Sequence, residues 1–313
     1  MLPLDLPPGA ARAGLRAMAT VARADGRVDP AELALVQAAA RALGVSIEGP
    51  EALAPIEPAA LADALPDPAH RLIALQAMIL TALMDGDASG READAVRRFA
   101  ESLGVDEPRV ANLRQLAEGR TRALWLDLAR RSFARPIFEQ TLRAKGLGGV
   151  WKIVGPLVGL AKDHDLARRY NDLGRLPEGT LGRAYWRFVV DHELGFPGEG
   201  VVAEEGVWHD LSHVLGGYGV DPSGEVSVVS FIAGYKRDDP FFWLFTIALQ
   251  FHLGVKVSPY SPRGKGHFDP ELVRRAFARG RRVNRDLSTE WGYAADLARP
   301  LDEVRRDLGV PPP

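Results

Sequence analysis

Apolar positions recur every three to four residues through the first 120 residues, and the pattern occurs twice at an offset of 60. The segments Ala22–Val45 and Ala82–Val105 each predict a helix, an acidic glycine turn and a second helix. In the first copy, Pro30 suits the first turn of the second helix and Gly44 suits its end. Apolar residues at 33, 36, 40 and 43 predict the buried stripe of that helix.

The acidic turns could be calcium loops, because their glycine and glutamate spacing partly fits an EF-hand. With Gly26 at the sixth position of such a loop, Glu32 takes the twelfth, as required. The first and third positions are then Val21 and Arg23, which supply no carboxylate. The pattern therefore excludes an EF-hand.

The second half continues as helices, so the predicted fold class is all-α. Residues 121–133 and 138–146 are helical patches, followed by an apolar glycine-rich stretch at 146–162. The 17 residues of that stretch are few for a membrane span, and Pro156 would interrupt a helix there. Two very apolar helices are predicted at 225–235 and 240–254.

The composition narrows the class of protein further. A length of 313 residues with 46% hydrophobic content predicts two domains with sizeable cores. The absence of cysteine excludes disulfides, thiolate-bound zinc and thiol catalysis. The N-terminus has no signal-peptide pattern and no run of 18 apolar residues occurs, so we expect a cytoplasmic protein. The net charge of -2 indicates no particular partner.

Residues 208–225 (WHDLSHVLGGYGVDPSGE) carry the candidate chemistry. On a helix, His209 and His213 lie one turn apart on one face, with Asp210 near them. A glycine-rich turn precedes an apolar helix that is predicted to begin at Glu225, which would return this carboxylate to the histidines. Such a nitrogen and oxygen donor set suits Zn, Fe(II) or Mn and leaves coordination positions open. The alternative is that His209 and Asp210 merely begin a helix and that His213 is a core histidine whose hydrogen bonds are satisfied.

A metal-dependent phosphohydrolase is a different interpretation of the His209-Asp210 doublet. It needs a further histidine upstream, for which His192 is available, and an aspartate downstream, for which Asp239 or Asp269 is available. The helices that follow are very apolar, whereas a phosphate ester site favours arginine, lysine and glycine-rich anion cradles.

Four ordered segments resemble the coenzyme Q (ubiquinone) biosynthesis family called Coq four. They are RLPEGTLGRAYWRFV at 175–189, the histidine segment at 208–225, ARGRRVNRDLSTEWGY at 278–293 and PLDEVRRDLGVPPP at 300–313. The resemblance covers about residues 165–313 and extends to 125–164. It implies a helical protein peripheral to membranes, with His209, Asp210, His213 and Glu225 as metal ligands and with Asp210 and Glu225 as catalytic residues.

The N-terminal repeat resembles the TerB-like (tellurite resistance) helical domain, which typical members of the Coq four family lack. Members of the TerB-like family are suspected of binding metal through these acids. The alternative is that Asp25 and Asp29 cap a helix. The predicted organisation is a disordered N-terminus at 1–10, a TerB-like domain at 11–120 and a ubiquinone-biosynthesis-like domain at 121–313, with its motif core at 165–313.

The surroundings of the site suggest partners. Aromatic residues after Glu225 either form core or wall a groove for a polyprenyl tail: Phe231, Phe241, Phe242, Trp243, Phe245 and Phe251. His252, inside the same helix, is predicted to be a core histidine. Residues 255–285 are rich in arginine and lysine. Such a run is usually a solvated helix face; beside a lipid site it would meet anionic head groups at the inner face of the cytoplasmic membrane, or the substrate carboxylate. No nucleic-acid motif accompanies them.

The resemblance implies two functions of different classes. As an enzyme, the protein would use a divalent metal, zinc first and iron or manganese next, for oxidative decarboxylation of a prenylated aromatic lipid. The oxidant would be oxygen at a redox metal or a separate hydroxylase. As a scaffold, it would present a quinone-like lipid to other biosynthetic enzymes. A homodimer is a candidate state for either.

Overall fold

The computed structural model describes residues 6–131, 163–199, 204–257 and 263–313. Within these ranges the protein is all-α, as predicted, with fourteen α-helices and no β-strand. The chain forms two compact units, and both are discontinuous in sequence. The first takes in Met1–Leu128 and Phe241–Ala278, and the second takes in Ala129–Pro240 and Arg279–Pro313.

The first unit is built on the 60-residue repeat. Its helices are α1 (Pro8–Val21), α2 (Pro30–Ala42), α3 (Pro58–Ala64), α4 (Pro68–Thr81), α5 (Gly90–Leu103), α6 (Pro108–Ala117) and α7 (Thr121–Arg131). The pair α1 and α2 corresponds to the pair α4 and α5, and α1 packs against both α2 and α4. Apolar side chains of all four helices form the core, among them Leu15, Val36, Met78 and Phe99.

Capping residues decide where the repeat helices begin. Asp29 and Glu32 form a capping box at α2, and Ser89 and Glu92 form the same box at α5. The buried face of α2 is rotated relative to the predicted stripe. Glu32 is buried because its side chain bonds the cap, and Leu35, Val36 and Ala39 are buried on the same side of the helix. Of the predicted stripe, positions 36 and 40 are buried, but 33 and 43 are only half-buried.

The N-terminal boundary also differs from the expectation. Helix α1 begins at Pro8, whose fixed φ suits the first helical position, and Ala10 is buried. Residues 8–10, which the prediction assigned to the N-terminal segment, belong to α1, and residues 1–5 lie outside the described part of the chain.

A second part of the chain completes the first unit. It contains α12 (Pro240–Ile247), a π-helical turn (Ala248–His252) and most of α13 (Pro270–Gly280). Phe241 lies under the guanidinium of Arg109 at 5.5 Å, and His252 bonds the Met84 carbonyl at 2.9 Å. The predicted boundary at residue 120 placed this segment in the C-terminal domain, whereas its apolar side chains pack with the first 128 residues.

The second unit positions the histidine segment. It contains α8 (His164–Asn171), α9 (Leu181–Asp191), α10 (Val207–Gly216), α11 (Pro222–Tyr235) and α14 (Leu301–Leu308). Helix α10 packs between α9 and α11.

Predictions for residues 138–146 and 146–162, including the helix interruption at Pro156, lie outside the described residues. Within the part of the chain that the structure describes, no helix has the length and apolar character needed to cross a membrane.

Candidate metal centre

Helix α10 carries both histidines and ends at a glycine. His209 lies in its first turn and His213 in its last. Gly217 follows with φ of 68°, a left-handed conformation that suits glycine and ends the helix. The chain then turns sharply, and the Tyr218 amide donates to the His213 carbonyl at 3.0 Å.

The turn between α10 and α11 returns the chain to the histidines. Helix α11 begins at Pro222, three residues before the predicted start, so Glu225 lies in its first turn. A Cβ atom at Gly224 would clash with the Gly219 carbonyl, so the close approach within this turn requires glycine at 224. Helices α10 and α11 pack together and bring Glu225 to the histidine face.

Three of the four predicted metal ligands converge. One donor atom from each of His209, His213 and Glu225 lies within 4.8 Å of the others. His213 Nε2 is 3.5 Å from Glu225 Oε1, and His209 Nε2 is 4.0 Å from Glu225 Oε2. The His213 side chain is 2% exposed and that of His209 is 28% exposed, so the cluster is reached from the His209 side.

Hydrogen bonds orient both imidazole rings. His213 Nδ1 lies 3.3 Å from the Tyr218 carbonyl, and His209 Nδ1 lies 3.4 Å from Asp210 Oδ1. If each Nδ1 carries the proton towards these acceptors, the lone pair of each Nε2 is directed at the cluster. Metal-binding histidines are oriented in this way by a carbonyl or carboxylate at the other nitrogen.

Burial shifts the pKa of each group in the cluster. Desolvation lowers the pKa of His213 to about 3, with a further contribution from His209. Burial also lowers the pKa of His209, but Asp210 and Glu225 outweigh it and the net shift is upward. Burial raises the pKa of Glu225. A neutral His213 is ready to coordinate a cation, and a cation would offset the cost of a buried glutamate charge.

The spacing fits a divalent ion. Ligands about 2.0–2.1 Å from a tetrahedral zinc are separated from one another by about 3.3 Å. The 3.5 Å and 4.0 Å separations end on different oxygens of Glu225, and the donor atoms of the whole group lie within 4.8 Å, so the three side chains would draw closer around an ion. Two imidazoles and one carboxylate leave at least one coordination position open, as at catalytic metal sites.

Asp210 does not join the other three residues. The metal-competent group contains His209, His213 and Glu225, and the Asp210 carboxylate faces the outer nitrogen of His209 instead. Consecutive residues point about 100° apart on a helix, so Asp210 cannot share the ligand face fully with its neighbour. Asp210 as a fourth ligand therefore stays a prediction, and its carboxylate lies where it can orient the His209 ring.

The carboxyl end of α10 is held by arginines from the C-terminal segments. Arg305 donates to the Val214 and Leu215 carbonyls at 3.0 and 3.1 Å, and Arg279 donates to the Gly216 carbonyl at 3.0 Å. These cations complement the negative end of the helix dipole and its unpaired carbonyls. They fix the turn that carries His213.

The other residues named for a phosphohydrolase make contacts of their own. His192 is exposed, and its Nδ1 lies 2.8 Å from the Phe188 carbonyl. Asp269 accepts from the Glu271 and Leu272 amides as a helix cap. Among the described residues, the metal-competent group includes neither these two nor Asp239.

The predicted groove residues are mostly core. Trp243 is half-buried, and the other five are less than 10% exposed: Phe231, Phe241, Phe242, Phe245 and Phe251. Phe231 belongs to the second unit and Phe241 to the first, while His252 is a core histidine as predicted, 7% exposed. An open cleft of about 570 Å³ between α5 and α6 contains none of the predicted site residues.

The aspartates in the turns of the first unit accept hydrogen bonds from neighbouring backbone amides. Asp29 Oδ1 accepts from the Ala31 amide at 2.7 Å and caps α2, as the capping interpretation expects. Asp25 accepts from the Arg27 amide at 2.7 Å and so stabilises the turn, not a helix. Asp85 makes the equivalent bond to Asp87 in the second copy. These contacts favour capping over metal binding.

Sequence reasoning missed three neighbours of the cluster. Phe188 stacks on His213 with ring centroids 5.2 Å apart, Tyr218 supplies the carbonyl that orients His213, and Tyr185 lies one turn from Phe188 on α9. Tyr185 and Phe188 stand three residues apart within 175–189, a helical spacing that periodicity alone assigns to core, and the role of the Tyr218 carbonyl leaves no signal in the side-chain pattern.

Comparison with known families supports the N-terminal interpretation. A family model described as tellurite resistance protein TerB matches residues 4–53, which include α1 and α2. No curated protein matches the chain.

Proposed function

We propose that the second unit binds a divalent metal through His209, His213 and Glu225 and acts on a prenylated aromatic acid in coenzyme Q-type biosynthesis. The convergence of two Nε2 atoms and one buried carboxylate carries the proposal. The four segments that resemble the Coq four family support the choice of substrate class. They contribute to one unit, and Arg279 and Arg305 from two of them fix the metal helix.

The proposed reaction is loss of the ring carboxyl group. A divalent cation at the cluster supplies Lewis-acid stabilisation of the negative charge that develops on the ring. The carbon–carbon bond breaks, carbon dioxide leaves, and the electron pair remains on the ring carbon, which takes a proton. Replacing the carboxyl with hydroxyl further requires an oxidant that supplies oxygen, either dioxygen at a redox-active metal or a separate hydroxylase.

The residues of the cluster divide these tasks. Glu225 and His213 form the more buried side, which would exclude water from a bound ion there. His209 and Asp210 form the more accessible side, with side chains 28% and 24% exposed, and this side would receive the substrate. Asp210 keeps His209 in the tautomer whose Nε2 faces the ion. Zinc is the proposed ion, with iron or manganese as alternatives.

A lipid substrate would be met at a membrane surface. Several cations of the first unit are exposed: Lys256, Arg263, Lys265 and Arg275. Arg274 and Arg279, which also belong to the basic segment, instead bond Glu271 and the Gly216 carbonyl. The proposed membrane contact therefore involves fewer cations than the basic segment contains, and it is electrostatic.

A scaffold is the second candidate. Ser212 of α10 bonds the Tyr235 hydroxyl of α11 at 3.0 Å, so these helices are already joined beside the cluster. A metal there would add a structural brace. The accessible His209 side favours the enzyme, because structural metal sites are usually closed by four protein ligands.

Turnover by the purified full chain separates the two candidates. Protein loaded with zinc, iron or manganese is incubated with a prenylated 4-hydroxybenzoate in detergent, and carbon dioxide and ring products are measured. The enzyme predicts metal-dependent carbon dioxide release that Glu225→Gln abolishes and Glu303→Gln, on an exposed carboxylate, does not. Tight lipid binding without turnover by any of the three metal forms favours the scaffold.

A further inference from the structure

Helix α7 exposes a tryptophan and a leucine side by side. Its inner face is buried through Leu124 and Leu128. On the opposite face, Trp125 and Leu126 are 53% and 52% exposed, more than any other large apolar side chain in the described part of the chain. Of the tryptophans that the structure describes, only Trp125 is exposed. A tryptophan carries a large apolar area, so this exposure to water calls for a physical explanation.

Two arginines frame this apolar pair. Helix α7 is continuous, so Arg122 lies one turn before Trp125 and Leu126 on the same face. Arg130 lies one turn after Leu126, again on that face. Both arginines are exposed, and neither has an ion-pair partner among the described residues. Their charges are therefore available to an external anion.

The neighbouring charges are already compensated. Arg114 and Arg120 pair with Glu118 at 2.8 and 3.3 Å. The single carboxylate of α7, Asp127, is half-buried and accepts from the Asn112 side-chain amide at 2.9 Å. The outer face of α7 thus combines an apolar centre with two positive charges that no carboxylate of this helix offsets.

We propose that the outer face of α7, made of Arg122, Trp125, Leu126 and Arg130, binds the surface of an anionic lipid bilayer. The arginines complement the lipid phosphates, and the two apolar side chains enter the boundary between head groups and acyl chains. Tryptophan favours this boundary because its ring is apolar while its N–H can still find a polar partner. The opposite face of the helix stays packed in the protein, so the insertion is shallow.

The size of the patch favours a lipid surface over a protein partner. A stable protein interface buries about 800 Å² on each partner around a well-packed apolar centre. In the described part of the first unit, Val28 is the one other exposed large apolar side chain. Two adjacent side chains are too few for such a centre, but they suffice as a shallow anchor. The inference needs neither the metal nor a substrate, and it adds an apolar anchor to the electrostatic membrane contact proposed above.

Vesicle sedimentation of the full chain tests the anchor, with phosphatidylglycerol-rich and pure phosphatidylcholine vesicles at low and high salt. Trp125→Ala should weaken binding to the anionic vesicles by about tenfold or more at both salt concentrations, the effect of losing one large buried apolar side chain. Arg122→Gln combined with Arg130→Gln should weaken it by about fivefold for each arginine at low salt and by less at high salt. Val28→Ala, an exposed apolar side chain away from α7, is the matched control and should bind as the parent does.

Brominated acyl chains report whether Trp125 itself enters the bilayer, because bromine quenches the fluorescence of a nearby indole. The parent should be quenched on binding, and Trp125→Phe, which keeps an apolar ring, should still bind but lose this quenching. Equal binding by the parent and Trp125→Ala overturns the inference, as does quenching that persists in Trp125→Phe or a parent that sediments with neither vesicle.

Two further outcomes would overturn the inference and identify another cause. Weaker binding by Arg275→Glu, with no effect of the α7 variants, would leave the electrostatic contact of the basic segment alone. A dimer in size-exclusion chromatography that Trp125→Ala abolishes would assign the outer face of α7 to a second copy of the chain.

Discussion

The carboxyl groups of Glu32 and Glu92 face each other inside the first unit, although 60 residues separate them in the chain. Each is the third residue of its helix and accepts a hydrogen bond from the backbone of its own cap. Both residues are at most 2% exposed, and Glu32 Oε1 has no ordinary donor. A protonated Glu92 carboxyl would donate a hydrogen bond to Glu32 Oε1, so the two carboxyl groups, one from each repeat, would share a proton.

We predict that the first unit loses stability as the pH rises through neutrality. Burial raises the pKa of Glu32 to about 7 from its ordinary value of 4.5, and it raises the pKa of Glu92 as well. When the pKa of a carboxyl group is higher in the folded state than in the unfolded state, its contribution to stability is fully present at pH values below the unfolded-state pKa. That contribution is lost as the pH rises through the folded-state pKa. Thermal unfolding of the full chain should therefore show this loss between about pH 5 and about pH 9.

Glu92→Gln tests this prediction, because glutamine keeps the capping box but cannot ionise. Relative to this variant, the parent should lose an additional stability of roughly 2 kcal/mol over the same pH range. Glu101→Gln, on an exposed carboxylate of the same helix, is the control and should follow the parent. Parallel pH profiles for the parent and Glu92→Gln would contradict the shared proton.

Local sequence signals were sufficient to predict the helices but not the division of the chain into its two units. Pro30 and Gly104 mark helix ends because their effect depends on the backbone of one or two residues. The return of Phe241 and His252 to the first unit depends on packing across more than 100 residues, which periodicity cannot encode. The rotation of the buried face of α2 was not predicted, because a glutamate such as Glu32 is expected on the exposed face of a helix and not at a buried cap.

A chain truncated to residues 121–313 should fold poorly. It would keep α12 but lose the residues that cover it, leaving Phe241, Phe245 and the His252 bond to Met84 without their surroundings. Exposure of several buried aromatic side chains favours aggregation and loss of cooperative unfolding. Circular dichroism and size-exclusion chromatography check this. A monomer with a sharp thermal transition would show that the part of the first unit after residue 240 folds without residues 1–120.

Asp210→Asn and Glu225→Gln should differ in their effect on metal affinity. Glu225 faces both histidine Nε2 atoms, so its replacement removes a direct ligand charge. In the described part of the chain, the Asp210 carboxylate contacts the outer nitrogen of His209, and loss of such an orienting carboxylate weakens binding by about 10–100-fold. Zinc titration of both variants should rank Glu225→Gln as the weaker binder. The reverse order would return Asp210 to the set of direct ligands.

The sequence was informative about the site where one helix or one turn determines the geometry. His209 and His213 follow from the helical period, and the return of Glu225 follows from the glycine and proline turn. The 3.4 Å contact between the Asp210 carboxylate and His209 Nδ1 depends on the side-chain rotamers of two neighbouring residues, which spacing alone does not give. The unpaired Tyr185 hydroxyl depends on packing across helices, which is set by the whole core.

Binding to anionic vesicles should decrease with salt. The exposed cations of the first unit, including Arg263 and Arg275, attract anionic head groups, and the attraction is screened within a Debye length of about 10 Å at 0.1 M salt. Arg275→Glu should weaken vesicle sedimentation several-fold, whereas Arg98→Glu, an exposed arginine on α5, should not. Equal effects of the two variants would indicate only a response to net charge.

Zinc binding by the metal-free full chain tests the central claim most directly. Calorimetric titration should give about one zinc ion per chain, and the melting temperature should rise with zinc concentration, because binding to the folded state alone stabilises it. His213→Gln should remove both effects while the metal-free melting temperature changes little. Absence of binding by the parent, or zinc binding that persists at the same affinity in His213→Gln, would contradict a metal centre at His209, His213 and Glu225.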